Sequence, residues 1–563
     1  MRKTLAKAGI LGLLLLLVLP MTVGEARWSI GRHREQKVEQ QVPPGPPDHK
    51  AKILFIPHDN RPTSCEQTAA VVQELGYEVI MPDKKLLGGL TTKGDTEELW
   101  KWTKENAKSA EVAVIATDSL VYGGLVTSRV HEIPRAELKE RANRLHELRE
   151  LHPSLKIYAF TSLMRTPRSG AASGGEDPDY YFTYGTKIFR YTALMDKAEM
   201  EGLSEEERQE LAQLTQDIPA PVLKDWLGRR QHNLEATKML IDDARAGKID
   251  YLLIGKDDNA SLSQTHREDR WLREYAKNIP DSRFHIVAGI DEFAMLLMTR
   301  AVNQWEQVVP KVAIRYNIGK GGDTIPTYSD ERIAATLRTE LAVAGGQQVD
   351  APGLADFTLL VNTTPEGVTG EANHVRDWEP APLNNWKNRP GTYAFLEQVS
   401  TLIRKGCSVG IADIAFSNGS DNVLMYHLKA NNLLFKLKSY SGWNTGTNSL
   451  GFALGQGMLA SRLPQEKANE LLLTRYLDDW AYQANVRTAM AHKIERLGNP
   501  MVYLYLGEYE PEMEADSTRL LRQFCKDHLP EFKQVDSLQV TFPWHRMFIA
   551  SIRYDGMFDF KHS

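Results

Sequence analysis

The sequence predicts an α/β protein: two doubly wound, mostly parallel-sheet domains facing a cleft, followed by a helix-rich C-terminal region. Three observations carry this expectation. Short apolar runs alternate with helical patterns along most of the chain. Several runs end directly in carboxylates and amides, as in Leu252-Leu253-Ile254-Gly255-Lys256-Asp257-Asp258-Asn259. The length, 563 residues, exceeds what one ordinary core holds. A (β/α)8-like barrel on the first eight strands shows the same alternation and is the alternative.

The elements follow in order. Arg2, Lys3 and Lys7 precede an apolar run from Ile10 to Leu19, then Pro20 and a small-residue tract ending at Ala26. This predicts a signal peptide over 1–26, with a retained anchor as the alternative, and hence export to the cell envelope or beyond. The run is short for a membrane span, and none is expected in the mature chain. Residues 27–50, with Pro43-Pro44-Gly45-Pro46-Pro47, read as a stiff linker.

The first α/β domain is expected over 51–305, with strands at 52–57, 77–81, 112–117, 156–161, 251–256 and 284–290. Helical patterns at 66–75, 96–107 and 134–151 lie between them. An insertion at 166–245 opens with the Gly/Ser-rich Ser169–Gly175 and continues through Tyr180-Tyr181-Phe182, as a substrate wall would. The second domain, 306–461, has candidate strands at 312–316, 347–350, 357–362, 408–413 and 436–440. Its helices fit 330–344, 392–405, 420–431 and 447–461. Residues 462–563 form an α+β tail.

Composition narrows the function classes. A net charge of −5 and the absence of a basic stripe argue against a nucleic-acid partner. Three widely spaced cysteines make no disulfide framework, and no CxxC pair marks a zinc site. There is no GxGxxG, Walker A or GxSxG signature. No cofactor is expected. The alternative is a divalent metal, for which His58, Asp59, Asp118, Asp257, Asp258 and His266 are candidate ligands.

In α/β folds the carboxyl ends of parallel strands line the ligand crevice. The strongest candidates are therefore Asp257 and Asp258. Adjacent carboxylates repel, so one is pushed toward the acid form and the other away from it, which suits acid/base work at neutral pH. Asp291 and Glu292 have the same form. Asp59, Asn60, Arg61, Asp118 and Asn259 end other strands and could bind substrate. Trp443 and Asn444 would complete the site from the second domain, with Trp443 stacking on a sugar ring. Tyr180, Tyr181 and Tyr184 are further stacking candidates. Against all of these stands the ordinary use of Asp and Asn in loops and helix caps.

The segments Ile56-Pro57-His58-Asp59-Asn60-Arg61-Pro62, Asp118-Ser119-Leu120-Val121-Tyr122-Gly123-Gly124-Leu125, Lys256-Asp257-Asp258-Asn259 and Gly442-Trp443-Asn444-Thr445 resemble the uncharacterised bacterial family DUF4127. Ala412-Asp413-Ile414-Ala415 and Phe542-Pro543-Trp544-His545-Arg546 extend the resemblance over nearly the whole mature chain. His58 departs from the family's usual Pro-Leu-Asp-x-Arg-Pro. The resemblance implies one shared architecture and no established reaction. From the residues, the expected function is an exported glycoside hydrolase acting on amino-sugar-containing glycans. The alternatives are a metal-dependent hydrolase of ester, amide or phosphoester bonds and a two-lobed solute-binding protein that takes a small molecule.

Overall fold

Strands β1 (Lys52–Ile56), β2 (Glu78–Ile80), β3 (Val112–Ala116), β4 (Lys156–Leu163), β5 (Tyr251–Lys256) and β6 (Phe284–Ala288) form a parallel sheet in the order β2-β1-β3-β4-β5-β6. The computed structural model describes residues 49–170, 174–372 and 389–557. The expected signal segment (1–26), all but the last two residues of the linker and the middle of the Ser169–Gly175 loop lie outside the described residues.

A second sheet contains β7 (Lys311–Tyr316), β8 (Gln347–Gln348), β9 (Phe357–Asn362), β11 (Val409–Asp413) and β13 (Ser439–Ser441). It too is parallel, in the order β13-β11-β9-β7-β8. Read from the other edge, this is the 2-1-3-4-5 order of the first sheet. Two minor pairs complete the strands: β10 (Gly370–Glu371) with β12 (Phe416–Ser417), and antiparallel β14 (Gln539–Thr541) with β15 (Ser551–Arg553). Neither large sheet closes into a barrel among the described residues.

The strands form where the sequence stays apolar without alternation. Every residue of Val112–Ala116 and of Tyr251–Lys256 is buried, as expected for central parallel strands covered on both faces. Helices start where side chains can accept the first free N–H groups: Asp95 before Thr96–Ala107, Ser263 before Gln264–Ala276, and Asp421 before Asn422–Ala430. The insertion folds into three helices, Tyr180–Met200, Glu205–Asp217 and Ala220–Arg245. Ser204 and Glu207 make a reciprocal capping box on the second. Among the described residues, no helix is long and apolar enough to cross a membrane.

One continuous apolar core runs through both sheets, from Val114 and Leu253 to Val312 and Leu359. The helix Gly446–Ala460 joins them and is buried on every side. Glycines allow its close approach. A Cβ at Gly457 would lie 2.0 Å from the Phe357 ring, and one at Gly451 would lie 2.4 Å from Glu292 Cγ. A second core gathers the C-terminal helices around Trp480. The tail thus packs back over the second sheet and reaches the carboxyl ends of the first.

Candidate active site

A cleft with a cavity volume of about 210 Å³ opens at the carboxyl end of the first sheet. Side chains reach it from the segments after five strands: Arg61 after β1, Arg129 after β3, Arg165 after β4, Asp257 and Asp258 after β5, and Asp291 after β6. The second sheet adds Tyr328, Asn418, Asn444 and Thr445. The C-terminal tail adds Tyr503, Trp544, Arg546 and Phe548.

The strand β5 ends at Lys256, whose buried ammonium is tied to Asp330 at 2.9 Å and also to Glu331. Past that anchor the chain turns through a left-handed residue, Asp258, with φ +38°. The turn departs from strand alternation and presents both carboxylates to one cleft. Six non-glycine residues have positive φ among those described. Asp258, Tyr328 and Asn418 line the cleft, and His545 sits between Trp544 and Arg546. Such conformations cost about 1–3 kcal/mol each, and their clustering marks a shaped site.

Each carboxylate meets a guanidinium. Arg129 pairs with Asp257 and lies 2.7 Å from Glu176. Arg165 reaches Asp258 at 2.8 Å and Asp177 at 2.7 Å. Arg61 donates to Asp291 Oδ1 at 2.6 Å and to Asp59 Oδ2 at 2.8 Å. Asn444 and Asn448 donate to Asp291 Oδ2.

Burial, reinforced by Asp257, pushes the Asp258 carboxyl up to about 7 against the pull of Arg165. Burial also raises Asp257, with Arg129 opposing. The pair therefore keeps a proton near neutral pH. Asp291 is the opposite case: burial works against its charge, but Arg61 and His58 hold it well below the usual carboxylate range. His58 is fully buried between Asp59 and Asp291. Burial disfavours its charge, yet the two carboxylates raise it to about 9. His58, Arg61, Asp59 and Asp291 thus form a closed set of two positive and two negative charges.

Of the residues expected from sequence, Arg61, Asp257, Asp258, Asp291 and Asn444 line the cleft. The others do not. Asp59 stands behind Arg61 as its partner. Asn60 accepts from Trp544 Nε1 at 2.7 Å. Asp118 is fully buried and accepts from Thr161, Ser162 Oγ and the Ser162 amide, so it braces β3 against β4. Asn259 caps its own turn through Ala260 N and Ser263 Oγ. Glu292 is buried and accepts from Ile290 N at 3.0 Å.

Trp443 packs behind the wall against Phe548, with ring centroids 5.8 Å apart. Tyr181 is buried under Pro167, Tyr180 bonds Asp225, and Tyr184 packs in the insertion's own core. None of these four lines the cleft. The six candidate metal ligands do not converge either. His266 pairs with Asp196, and only Asp257 and Asp258 of the six line the cleft. Among the described residues, no group of three or more His, Cys, Asp or Glu is arranged to hold a metal.

Arg129, Arg165, Glu176, Tyr328 and the Trp544–Phe548 segment are not among the site residues expected from sequence, although Trp544-His545-Arg546 carries part of the family resemblance. Arg165 had a usable signal. It lies two residues beyond β4, which runs to Leu163 rather than to 161. Trp544 and Arg546 come from the tail, and no local pattern ties them to strand ends far earlier in the chain.

A comparison with curated proteins gives no match. The family described as a protein of unknown function, DUF4127, matches residues 53–553, and the chain belongs to that family.

Proposed function

We propose that this protein is an exported glycoside hydrolase acting on amino-sugar-containing glycans, with Asp257 and Asp258 as its reacting pair. One observation carries the reading: two adjacent carboxylates turned into one cleft, with Asp258 raised to about 7. A carboxyl poised there donates its proton to the departing glycosidic oxygen as the C–O bond breaks, then recovers one from water. Asp257, held by Arg129, orients the sugar's own acetamido group, whose carbonyl oxygen attacks the anomeric carbon. Water then opens that internal ring and regenerates the acetamide. Arg61 and Asn444 bind hydroxyls, and Phe548 and Tyr503 offer aromatic faces to a sugar ring.

The other two readings draw less support. The carboxylates face guanidinia, which fill the positions a divalent ion would take. One core runs through both sheets, whereas a two-lobed binder needs lobes that part.

Purified protein assayed against chromogenic amino-sugar glycosides, with and without EDTA, tests the proposal. Hydrolysis should survive the chelator. Turnover should decline above about pH 7 as Asp258 loses its proton. The Asp258→Asn variant should lose about 10³-fold in kcat. Absence of hydrolysis across the panel, or full turnover in Asp258→Asn, rejects the glycosidase reading.

A further inference from the structure

Glu176 occupies an unusual place in the cleft. A structural ion pair needs one carboxylate per guanidinium, and three of the four cleft arginines have one without it. Arg61 has Asp291, Arg129 has Asp257, and Arg165 has Asp258 and Asp177. Glu176 is the one carboxylate on the fourth, Arg546, and it also spans Arg129 and Arg165, which have carboxylates without it. Its Oε2 lies 2.7 Å from Arg129 Nη1 and 3.4 Å from Arg165 Nη1, and its Oε1 accepts from Arg546 Nη2.

Arg546 is the least compensated of the four. It is 4% exposed, its Nε has no hydrogen-bond partner among the described residues, its other hydrogen bond goes to the Gly174 carbonyl at 3.2 Å, and its guanidinium lies over the Trp544 and Phe548 rings. Burial, with Arg165 and Arg61 adding repulsion, lowers its hold on the proton. Three convergent guanidinia are how proteins grip carboxylates and phosphates.

The loop that delivers Glu176 turns through two glycines just before it. Gly174 and Gly175 both have positive φ, and among the described residues a Cβ at Gly175 would meet nothing within 4 Å. The next residue, Asp177, is buried on Arg165 and pins the loop beyond. Two glycines thus precede Glu176, while its other neighbour is held on Arg165.

We infer that Arg129, Arg165 and Arg546 form a subsite for an oxyanion substituent of the substrate, a sugar carboxylate in the first instance, and that Glu176 is its internal stand-in. The inference deepens the glycosidase reading: the glycan would carry an acidic group beside the bond that is cut. A substrate oxyanion displaces Glu176 and inherits its contacts. Glu176 acts as an intramolecular competitor that keeps the cradle charged and ordered until then.

The test is binding, read by thermal shift and calorimetry. The probes are D-glucuronate and inorganic phosphate, with D-glucose and chloride at matched ionic strength as controls. Glucuronate or phosphate should raise the melting temperature of the wild type where glucose and chloride do not. In Glu176→Gln, with the competitor gone, that probe should bind about tenfold more tightly. The Glu176→Gln protein should also be less stable than wild type without the probe and be restored by it, an effect a purely structural ion pair would not give. Arg546→Gln should lose the response. If neither oxyanion exceeds chloride in wild type and Glu176→Gln, the inference is overturned; if the variant does not fold, the wild-type shifts alone decide. Oxyanion binding without any glycan hydrolysis would sink the glycosidase reading and leave the cradle. Hydrolysis of neutral glycans without oxyanion binding would do the reverse.

Discussion

In the first sheet, side chains from the segments after β1, β4, β5 and β6 face an open cleft; in the second, those at the ends of β7, β9 and β11 face one another. Asn317 donates to Asn362 at 3.1 Å, and Asn362 donates to Asp413 at 2.9 Å and to Asp421 at 3.1 Å. Tyr440 and the Asp421 amide complete Asp413, each at 2.7 Å. All five side chains are buried. Both sheets wind in the same order, and both offer carboxylates at the carboxyl ends of their strands. The difference is what satisfies them. In the second sheet, an amide side chain, a backbone N–H and a hydroxyl take up the Asp413 oxygens, and Arg389 pairs with Asp421, so the group is closed on itself. In the first, long guanidinium arms reach in from separate elements and leave open space between charges. Topology sets where a site can be, and the hydrogen-bond partners decide whether it is one.

Paired substitutions sharpen the contrast. Asp258→Asn should lose about 10³-fold in kcat while folding at least as stably as wild type. Asn tolerates positive φ as well as Asp does. The sign of the charge effect agrees. A carboxyl raised to about 7 loses folding stability as pH climbs from its ordinary value toward 7, and the amide removes that loss. Asp413→Ala should behave in the opposite way. It strands Asn362 and Tyr440 and should cost about 3 kcal/mol in urea unfolding, with kcat of the folded fraction within about twofold of wild type. A folded but inactive Asp413→Ala protein would break the comparison.

The His58 cluster gives the next largest effect. Its raised value means that the folded state holds a proton which the unfolded chain releases near pH 6.5. The associated stability is complete below that pH and is lost between about 6.5 and 9, to a total of about 3 kcal/mol. Urea unfolding of wild type and His58→Gln across this window reads it. Wild type should decline, and the variant should be flatter. Parallel curves would mean that His58 is neutral in the folded protein and that Arg61 alone balances Asp59 and Asp291.

Much of the scaffold was legible because buried parallel strands leave an unmistakable trace: unbroken apolar runs such as Val112–Ala116, closed by turn residues. The pair at Asp257-Asp258 was legible for the same reason, as was Asp291. Asp118 and Asn259 carried the same signal and turned out to be braces. The sequence does not tell whether a strand-end carboxylate finds Ser162 beside it or Arg165 across from it; that depends on register and on residues 44 to 93 positions apart. The missing half of the site came from segments without strand periodicity, namely the short helix bearing Arg129, the Glu176 loop and the tail with Trp544 and Arg546.

The two tryptophans give the smallest and most local test. Trp443 is the expected stacking platform, yet it is 4% exposed, packs on Phe548 and has an indole N–H without a partner among the described residues. Trp544 lines the cleft, donates to Asn60 and lies under the Arg61 and Arg546 guanidinia at 5.1 Å. Trp443→Phe leaves a small void but also relieves the buried N–H, so it should cost less than about 1 kcal/mol and leave KM unchanged. Trp544→Phe gives up a hydrogen bond of about 1 kcal/mol at the wall itself and should raise KM about fivefold. If Trp443→Phe moves KM more than Trp544→Phe does, the hidden indole reaches the sugar after all, and the second sheet contributes more to the cleft than Tyr328, Asn418, Asn444 and Thr445.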